Sequence, residues 1–330
     1  MARRSDTKRL LTFVLAVVAL TLAGIYGLGA LRGEDAAKPL SVTVVIKSVS
    51  KEMEFWQVLM EGVHAAAKEF GVNASVVGPQ RETDIDIQIG MLRQAVSERP
   101  NVILMAAADY NRLAPLAEEI DRAGIPLITI DSAVNSEVPR SFIATDNVEA
   151  GKKAALKLAE LLDGPARVAI ISYVKETATQ IERESGVRSV LEADPRFEIV
   201  GTYYSDGDEN VAYETTKELL RKYPDLKGFV GLNEPSSVGA GRAIRDMGRG
   251  GEALLVGFDS SVDEVRLLEE GVIQATVVQR PFNMGYLGVK TAVDLIAGRK
   301  VPASIDTGSL VITKANMYEE ENQQLVFPFN

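Results

Sequence analysis

The chain contains no cysteine and a single histidine among its 330 residues. Without thiols it forms no disulfide, no thiolate metal site and no cysteine nucleophile, and it offers no cysteine for a lipid anchor. The one histidine, His64, falls inside a predicted helix and has no second ligand or nucleophile beside it, which indicates an ordinary helix residue. Basic residues are also in deficit, since 36 Lys and Arg oppose 46 Asp and Glu and give a formal charge of −10. This balance argues against a nucleic-acid partner, because phosphate binding requires a basic face.

Apolar residues make up 46% of the chain and charged residues 25%, ordinary values for a globular protein long enough to form two cores. Residues 10–31 depart from this average because they carry no charge and follow a basic cluster that includes Arg4 and Lys8. The run is long enough to cross a bilayer as a helix, and the positive charge before it predicts that the remainder is exported. Two interpretations stay open, a retained membrane anchor and a cleaved signal peptide. The lack of a convincing small-x-small cleavage site favours the anchor, with residues 1–40 forming the anchor and its linker.

From residue 41 onward, short apolar runs alternate with segments of helical periodicity. Runs without polar alternation are typical of strands buried on both faces, and strands that alternate with helices form parallel sheets covered by helices. About ten such strands would strain one open twisted sheet, so the sequence predicts an α/β protein of two doubly wound lobes. The predicted strands are 42–46, 74–77, 102–105, 127–130, 167–172, 197–204, 228–232, 254–258, 275–278 and 310–312.

Four polar residues follow apolar runs directly: Asp131, Asn233, Asp259 and Gln279. Because ligands of open α/β sheets bind beyond the carboxyl ends of the strands, these side chains are predicted to face one cleft. Carboxylates accept several hydroxyl hydrogen bonds, and amides both donate and accept. This donor and acceptor set suits the hydroxyl rim of a sugar.

The aromatic pair Phe55 and Trp56, at the start of the first predicted helix, is the candidate for the apolar face of that sugar. Trp56 is the one tryptophan of the chain. Core packing is the alternative for its indole. Because Phe55 and Leu59 already define the apolar helix face and Trp56 is offset from it by one residue, the pattern favours ligand contact.

Each polar candidate also has a structural alternative. Asp259 would cap the next helix, Asn233 would shape a turn before a proline, and Gln279 would be a surface residue. Their positions at strand ends favour ligand contact for all three. For Asp131 and its neighbour Ser132, a loop boundary and a ligand role stay equally open.

The order and spacing of several short motifs resemble those of a known family. The motifs are Glu54-Phe55-Trp56, Ala123-Gly124-Ile125-Pro126, Ala144-Thr145-Asp146-Asn147, Leu232-Asn233-Glu234, Val256-Gly257-Phe258-Asp259 and Ala275-Thr276-Val277-Val278-Gln279. Over residues 41–313 the chain resembles the type I periplasmic binding proteins, closest to the ribose-binding branch. The resemblance implies two similar lobes joined by a three-segment hinge and closing on a small sugar.

By position, the resemblance implies a first lobe of residues 41–146 plus 280–307 and a second lobe of residues 147–279 plus 308–330. The ribose-binding branch has an arginine where this chain has Ser132. By alignment it has another arginine at Ile181, and Arg183 is either a shifted replacement for it or a structural residue. These departures argue against ribose itself as the ligand.

The resulting hypothesis is an extracytoplasmic, membrane-anchored protein that binds a monosaccharide or similar polyol and presents it to an ABC permease, without catalysis, cofactor or metal. A sugar sensor that signals to a membrane histidine kinase is the alternative. A repressor of related lobe structure would need a basic helix-turn-helix where this chain has an apolar segment. A glycosidase would need two facing acids, which Asp131 and Asp259 would supply only if they faced each other across the cleft, and it is the weakest option.

Overall fold

The computed structural model describes residues 40–327 together with Phe13, Val17, Val18 and Thr21. Contacts divide the chain into residues 1–39 and residues 40–330. Apart from those four helical positions, the predicted membrane span at 10–31 lies outside the described residues. In the described part of the chain, no helix combines the length and apolar character that crossing a membrane requires.

The first lobe is a six-stranded parallel sheet in the order β11-β5-β4-β3-β1-β2, covered by four helices. Its strands are β1 (Ser41–Val45), β2 (Asn73–Val77), β3 (Val102–Met105), β4 (Leu127–Ile130), β5 (Phe142–Ala144) and β11 (Ser304–Asp306). Its helices are α1 (Glu54–Phe70), α2 (Ile85–Glu98), α3 (Ala114–Arg122) and α9 (Pro281–Ile296). Apolar clusters bury the sheet on both faces, as the continuous apolar runs predict.

The second lobe has the matching strand order β12-β10-β9-β8-β6-β7. Its strands are β6 (Ala166–Ser172), β7 (Phe197–Tyr204), β8 (Leu226–Gly231), β9 (Leu254–Phe258), β10 (Ala275–Val278) and β12 (Leu310–Thr313). Its helices are α4 (Asn147–Leu161), α5 (Ala178–Leu191), α6 (Glu209–Lys222), α7 (Glu234–Asp246), α8 (Val262–Glu269) and α10 (Glu320–Val326). All neighbours pair in parallel except β12, which pairs antiparallel with β10 at the edge.

The chain passes between the two sheets three times, at residues 145–146, 279–280 and 307–309. Two of these passages lie side by side. The Thr307 N–H donates to the Ala144 carbonyl at 2.9 Å, and the Asp146 N–H donates to Asp306 Oδ1 at 3.1 Å. Two of the three connections between the lobes are therefore hydrogen-bonded to each other.

Glycines allow two helix pairs to approach backbone to backbone. A β-carbon on Gly62 of α1 would collide with the Phe282 carbonyl of α9. In the second lobe, a β-carbon on Gly186 of α5 would collide with the Val148 carbonyl of α4. These contacts set the spacing of the helices that flank the passages between the sheets.

The two-lobed parallel α/β architecture predicted from the sequence is confirmed, and all ten predicted strands are present within two residues of their predicted ends. The structure adds β5, β11, α4 and α10, which the sequence pattern did not predict. Strands of three residues are too short to show a periodicity. Helix α4 buries small residues such as Gly151 and Ala154, so its apolar face contrasts weakly with its polar one.

Candidate functional site

One cavity lies between the two lobes at the carboxyl ends of the strands. Seven of the eight predicted site residues line it, and only Ser132 does not. The lining comprises Lys47, Met53, Phe55, Trp56, Glu82, Asp131, Tyr173, Thr179, Arg183, Asn233, Glu234, Pro235, Asp259 and Gln279. The structure therefore brings together residues that are separated by more than 200 positions in sequence.

The two aspartates occupy matching places in the two lobes. Asp131 follows β4 with φ of 58°, and Asp259 follows β9 with φ of 75°. Both values lie in the left-handed region, which aspartate and asparagine tolerate better than other side chains with a β-carbon. This backbone turn directs both carboxylates into the gap between the lobes, where both line the cavity.

In the first lobe, Lys47 and Asp131 form a buried ion pair. Lys47 directly follows the β1 run, and its Nζ lies 2.8 Å from Asp131 Oδ2, with each side chain less than 5% exposed. Burial opposes the positive charge, but the carboxylates of Asp131 and Glu82 outweigh that effect, so the pKa of Lys47 is raised. The lysine is charged, and it holds one side of the cavity together electrostatically.

Glu82, in the loop after β2, is the second acid of this lobe. Its Oε1 accepts the Trp56 indole N–H at 2.9 Å. Burial raises the pKa of Glu82, and the Lys47 ammonium opposes that shift. The indole is thereby fixed at the cavity wall, with the Lys47 amine 5.4 Å from its ring centroid.

The position of Trp56 corrects the predicted helix face. The buried residues of α1 include Trp56 and Leu59, whereas Phe55 is only half-buried. Trp56 is 1% exposed and packs in the core of the first lobe while also lining the cavity. The argument from its offset was wrong, because Trp56 itself belongs to the buried face, and Phe55 meets its ring edge-on at 4.9 Å.

In the second lobe, Asp259 is the centre of a hydrogen-bond network. Its Oδ1 accepts from Gln279 Nε2 at 2.6 Å, and its Oδ2 accepts the Glu234 N–H at 3.2 Å. Burial raises the pKa of Asp259, and the nearby Arg183 guanidinium opposes this. Asp259 does not cap the helix that follows it, since Ser261 does so by accepting the Glu264 N–H.

Asn233 caps a helix and also lines the cavity. Its Oδ1 accepts the Ser236 N–H at 3.1 Å and caps the N-terminus of α7, while the residue also lines the cavity. Capping engages only the oxygen of the amide. The donor end of the same side chain is not used by the cap.

Arg183, which the sequence offered as a shifted replacement, extends from α5 into the cavity wall. Its Nε donates to Asn147 Oδ1 and its Nη1 donates to the Leu232 carbonyl, both at 2.8 Å. The guanidinium carbon lies 4.7 Å from the Phe258 ring centroid. These contacts fix the arginine beneath the acids of the second lobe.

Glu264 of α8 lies behind the cavity. The side chain is fully buried, and a β-carbon on Gly257 of β9 would collide with its carboxyl group. Burial, followed by the neighbouring Asp259 carboxylate, raises the pKa of Glu264 well above its usual value. The group therefore supports the strand end from which Asp259 projects.

Sequence reasoning missed five polar lining residues: Lys47, Glu82, Tyr173, Thr179 and Glu234. Lys47 carried the same signal as the aspartates, a polar residue directly after an apolar run. Glu234 was visible only as the neighbour of Asn233. The other three lie outside the predicted strands, and no local pattern in the sequence marks them. Ser132 lies outside the lining, and its carbonyl accepts the Ala107 N–H at 3.4 Å.

The cavity itself is narrow. Its volume is about 30 Å³, which is room for about two water molecules. Contacts across the gap hold the lobes together, among them the Val262 N–H, which donates to Glu54 Oε1 at 3.2 Å. The lobes are thus closed on each other, and a larger ligand enters only when they separate.

Two α/β lobes of matching strand order enclose a polar cavity between them, which is the architecture of a two-lobed solute-binding protein. Residues 42–300 match the model of the periplasmic binding protein domain, and the chain belongs to this family. Membership implies an extracytoplasmic location. The particular relatives narrow the class to type I sugar-binding proteins of ABC transport.

Among curated proteins, the D-ribose/D-allose-binding protein of Pseudomonas aeruginosa is 27% identical, with 90% of this chain and 93% of that protein covered. A solute-binding protein of Agrobacterium vitis, solved with bound D-fucose, is 34% identical with a TM-score of 0.84, covering 87% of this chain and 100% of that one. A carbohydrate transporter protein of Agrobacterium radiobacter, solved with D-arabinose, is 30% identical with a TM-score of 0.84, covering 88% and 99%.

Proposed function

We propose that this protein binds a small sugar or similar polyol between its lobes and presents it to an ABC importer. The observation that carries the proposal is the meeting of carboxylate and amide groups from both lobes at one cavity with an indole in its wall. Hydroxyl groups both donate and accept, so such a wall complements a polyol. The pentose and hexose ligands of the similar solved proteins support the same class.

The energetics of such a site suffice for transport. A micromolar dissociation constant corresponds to about −8 kcal/mol. Hydrogen bonds to charged groups contribute about 1.5–3 kcal/mol each before the ordering of ligand and lobes is counted. The Trp56 ring together with several hydroxyl hydrogen bonds to Asp131, Asp259 and the amides supplies an energy of this size.

The three passages between the sheets are proposed as the hinge. Bending there divides the protein into residues 41–146 plus 280–307 and residues 147–279 plus 308–330. Asp131 lies on the first side and Asp259 on the second, so only the closed form gives the ligand both carboxylates. A ligand with that differential contact shifts the equilibrium toward closure.

Calorimetric titration with a panel of pentoses and hexoses tests the proposal. Trp56→Ala and Asp259→Ala are each expected to weaken binding of the best sugar by an order of magnitude or more while the variants still melt cooperatively. Ser132→Ala is the matched control, because Ser132 neighbours the site without lining the cavity, and its affinity is expected to stay unchanged. Undiminished affinity in both cavity variants would remove the proposed site.

The alternative function is that of a sensor, held at the membrane by an anchor at residues 10–31. The uncharged run and the lack of cysteine favour an anchored protein that reports sugar binding to a histidine kinase. Intact mass of the mature protein separates cleavage from retention. Cross-linking in cells followed by mass spectrometry then decides between a permease and a kinase as the bound partner.

A further inference from the structure

The charges that line the cavity do not balance. Four carboxyl groups face two cationic side chains. The carboxyl groups belong to Glu82, Asp131, Glu234 and Asp259, and the cations are Lys47 and Arg183. Lys47 is committed to Asp131, and the contacts of Arg183 described above go to an amide and a backbone carbonyl. The wall therefore holds more carboxyl groups than cationic side chains, and a bound cation would favour their ionised form.

Glu234 is the acid that these cations compensate least. It is the first residue of α7 and is only 7% exposed, and its Oε2 is buried without a hydrogen-bond partner among the described residues. Burial, followed by the neighbouring carboxylates of Asp259 and Glu54, raises the pKa of Glu234 well above its usual value, and hydrogen bonding to Ser261 and to the Phe55 backbone opposes this shift. A buried acceptor in this setting calls for a donor that also brings positive charge.

A second buried hydrogen-bond acceptor in the wall also lacks a partner among the described residues. Gln279 is 2% exposed, and its Oε1 also lacks a partner among the described residues, because its Nε2 is used on Asp259. Both unpartnered atoms, on Glu234 and Gln279, are acceptors. A complementary ligand therefore places hydrogen-bond donors at these two positions.

The approach to the cavity carries the same sign of charge. A groove of about 350 Å³ adjoins it and shares Glu82 and Glu234 with it. Eight carboxyl groups and one guanidinium line this groove: Glu52, Glu54, Glu82, Asp206, Asp208, Glu209, Glu234 and Asp263, with Arg81. A cleft lined by one sign of charge concentrates counter-ions and repels ions of its own sign.

We propose that the ligand is a cationic polyol, such as an amino sugar, whose ammonium group binds against Glu234. This deepens the proposed function and rests on it. An ammonium offers three donors and no acceptor, and its charge-assisted bonds to a carboxylate are about twice as strong as neutral ones. A sugar acid would instead place a further negative charge beside Glu234 and Asp259.

Pairs of sugars that differ only in an amino or a hydroxyl group test whether the full-length protein prefers a cationic ligand. Titrations compare D-glucosamine with D-glucose and D-galactosamine with D-galactose, together with N-acetyl-D-glucosamine and D-glucuronate. At neutral pH, at least one amino sugar is expected to bind tenfold or more tightly than its hydroxyl counterpart. The acetylated sugar, which keeps the nitrogen without the charge, is expected to lose that gain, and the uronate to show no binding.

Glu234→Gln locates the effect. This variant keeps the size of the side chain but cannot ionise against a bound ammonium, so it is expected to lower the ratio of amino-sugar to neutral-sugar affinity about tenfold. Glu52→Gln is the control, because it removes the same charge from the exposed rim of the groove without lining the cavity. Its affinity ratio is expected to change less than threefold.

The outcomes separate the two proposals. If neutral sugars bind as tightly as their amino counterparts, or the uronate binds, the cationic ligand is overturned and the sugar-binding function stands. Equal changes of the ratio in both variants would also overturn contact at Glu234. If none of these compounds binds and no sugar of the pentose and hexose panel binds either, the sugar-binding function itself fails and the inference fails with it.

Discussion

At the residue scale, the cavity wall is built from buried charges whose protonation depends on their surroundings. Lys47 is held charged by Asp131 and Glu82, whereas burial favours the neutral form of Glu264 behind Asp259. Such groups couple stability to pH, because the folded and unfolded chains bind protons differently. Glu264 is the clearest case, since it is fully buried and lies outside the cavity.

Glu264→Gln is expected to reduce the loss of stability at high pH. Below the usual value of 4.5, both states of the chain carry the proton. Above it, the unfolded chain releases the proton while the folded chain keeps it. The unfolding free energy then falls by roughly 1.4 kcal/mol per pH unit until the folded carboxyl ionises. Glutamine mimics the protonated acid, so the variant gains stability over the wild type as pH rises from 5 to 8.

Urea unfolding at several pH values measures this difference. Glu61→Gln, at an exposed position on α1, is the control and is expected to follow the wild-type curve. Parallel curves for the wild type and the Glu264→Gln variant would show that this carboxyl does not carry the pH dependence.

At the element scale, the α4–α5 contact positions the polar groups of the second lobe. Gly186 on α5 lets the backbones of these helices touch, and Gly151 on α4 does the same against the Arg183 carbonyl. Arg183 on α5 donates to Asn147 on α4, so the spacing of the two helices sets where the guanidinium lies. A change in that spacing would therefore move the Arg183 guanidinium in the cavity wall.

Gly186→Ala is expected to destabilise the protein by about 1–3 kcal/mol, since the new methyl group overpacks a backbone contact. It is also expected to weaken ligand binding, because α5 carries Arg183. Gly90→Ala on α2 is the matched control, since a β-carbon there meets nothing within 4 Å. Alanine in an open helical position is expected to add about 1 kcal/mol of stability. Thermal unfolding and calorimetric titration of both variants measure these differences. Equal stability and equal ligand affinity of the two variants would contradict the prediction.

At the scale of the whole molecule, some hydrogen bonds between the lobes lie outside the cavity. Glu54 at the start of α1 accepts the Val262 N–H at the start of α8, and the Tyr110 N–H donates to the Glu176 carbonyl at 2.8 Å. The first of these places a carboxylate at a helix N-terminus, where negative charge stabilises by about 0.3–1 kcal/mol. Both contacts favour the closed form whether or not a ligand is present.

Glu54→Ala is expected to weaken the apparent affinity two- to fivefold, because a smaller closed fraction raises the apparent dissociation constant in proportion. Small-angle X-ray scattering of the ligand-free variant is expected to show a larger radius of gyration than that of the wild type. Glu98→Ala is the control, since Glu98 contacts Gln94 within its own helix in the first lobe. A variant with unchanged affinity and unchanged scattering would show that this contact does not bias closure.

The sequence predicted those features that depend on local pattern. Asp131 and Asp259 were identified because each follows an apolar run, and the sheet then brings all such strand ends together. Glu82 was missed because it lies in a loop whose course only the tertiary structure fixes. Trp56 was assigned to the cavity for a wrong reason, since its place on the helix face depends on how α1 docks against the first sheet.

The interleaved path of the chain has a consequence for its synthesis. Helix α9 and strand β11 complete the first lobe, yet the ribosome makes them after nearly all of the second. Until then, the Gly62 side of α1 has no cover, and β5 forms an unprotected sheet edge. A nascent chain halted near residue 280 therefore exposes apolar helix surface and an unpaired strand edge. Binding of chaperones to nascent chains is expected to be strongest at that length.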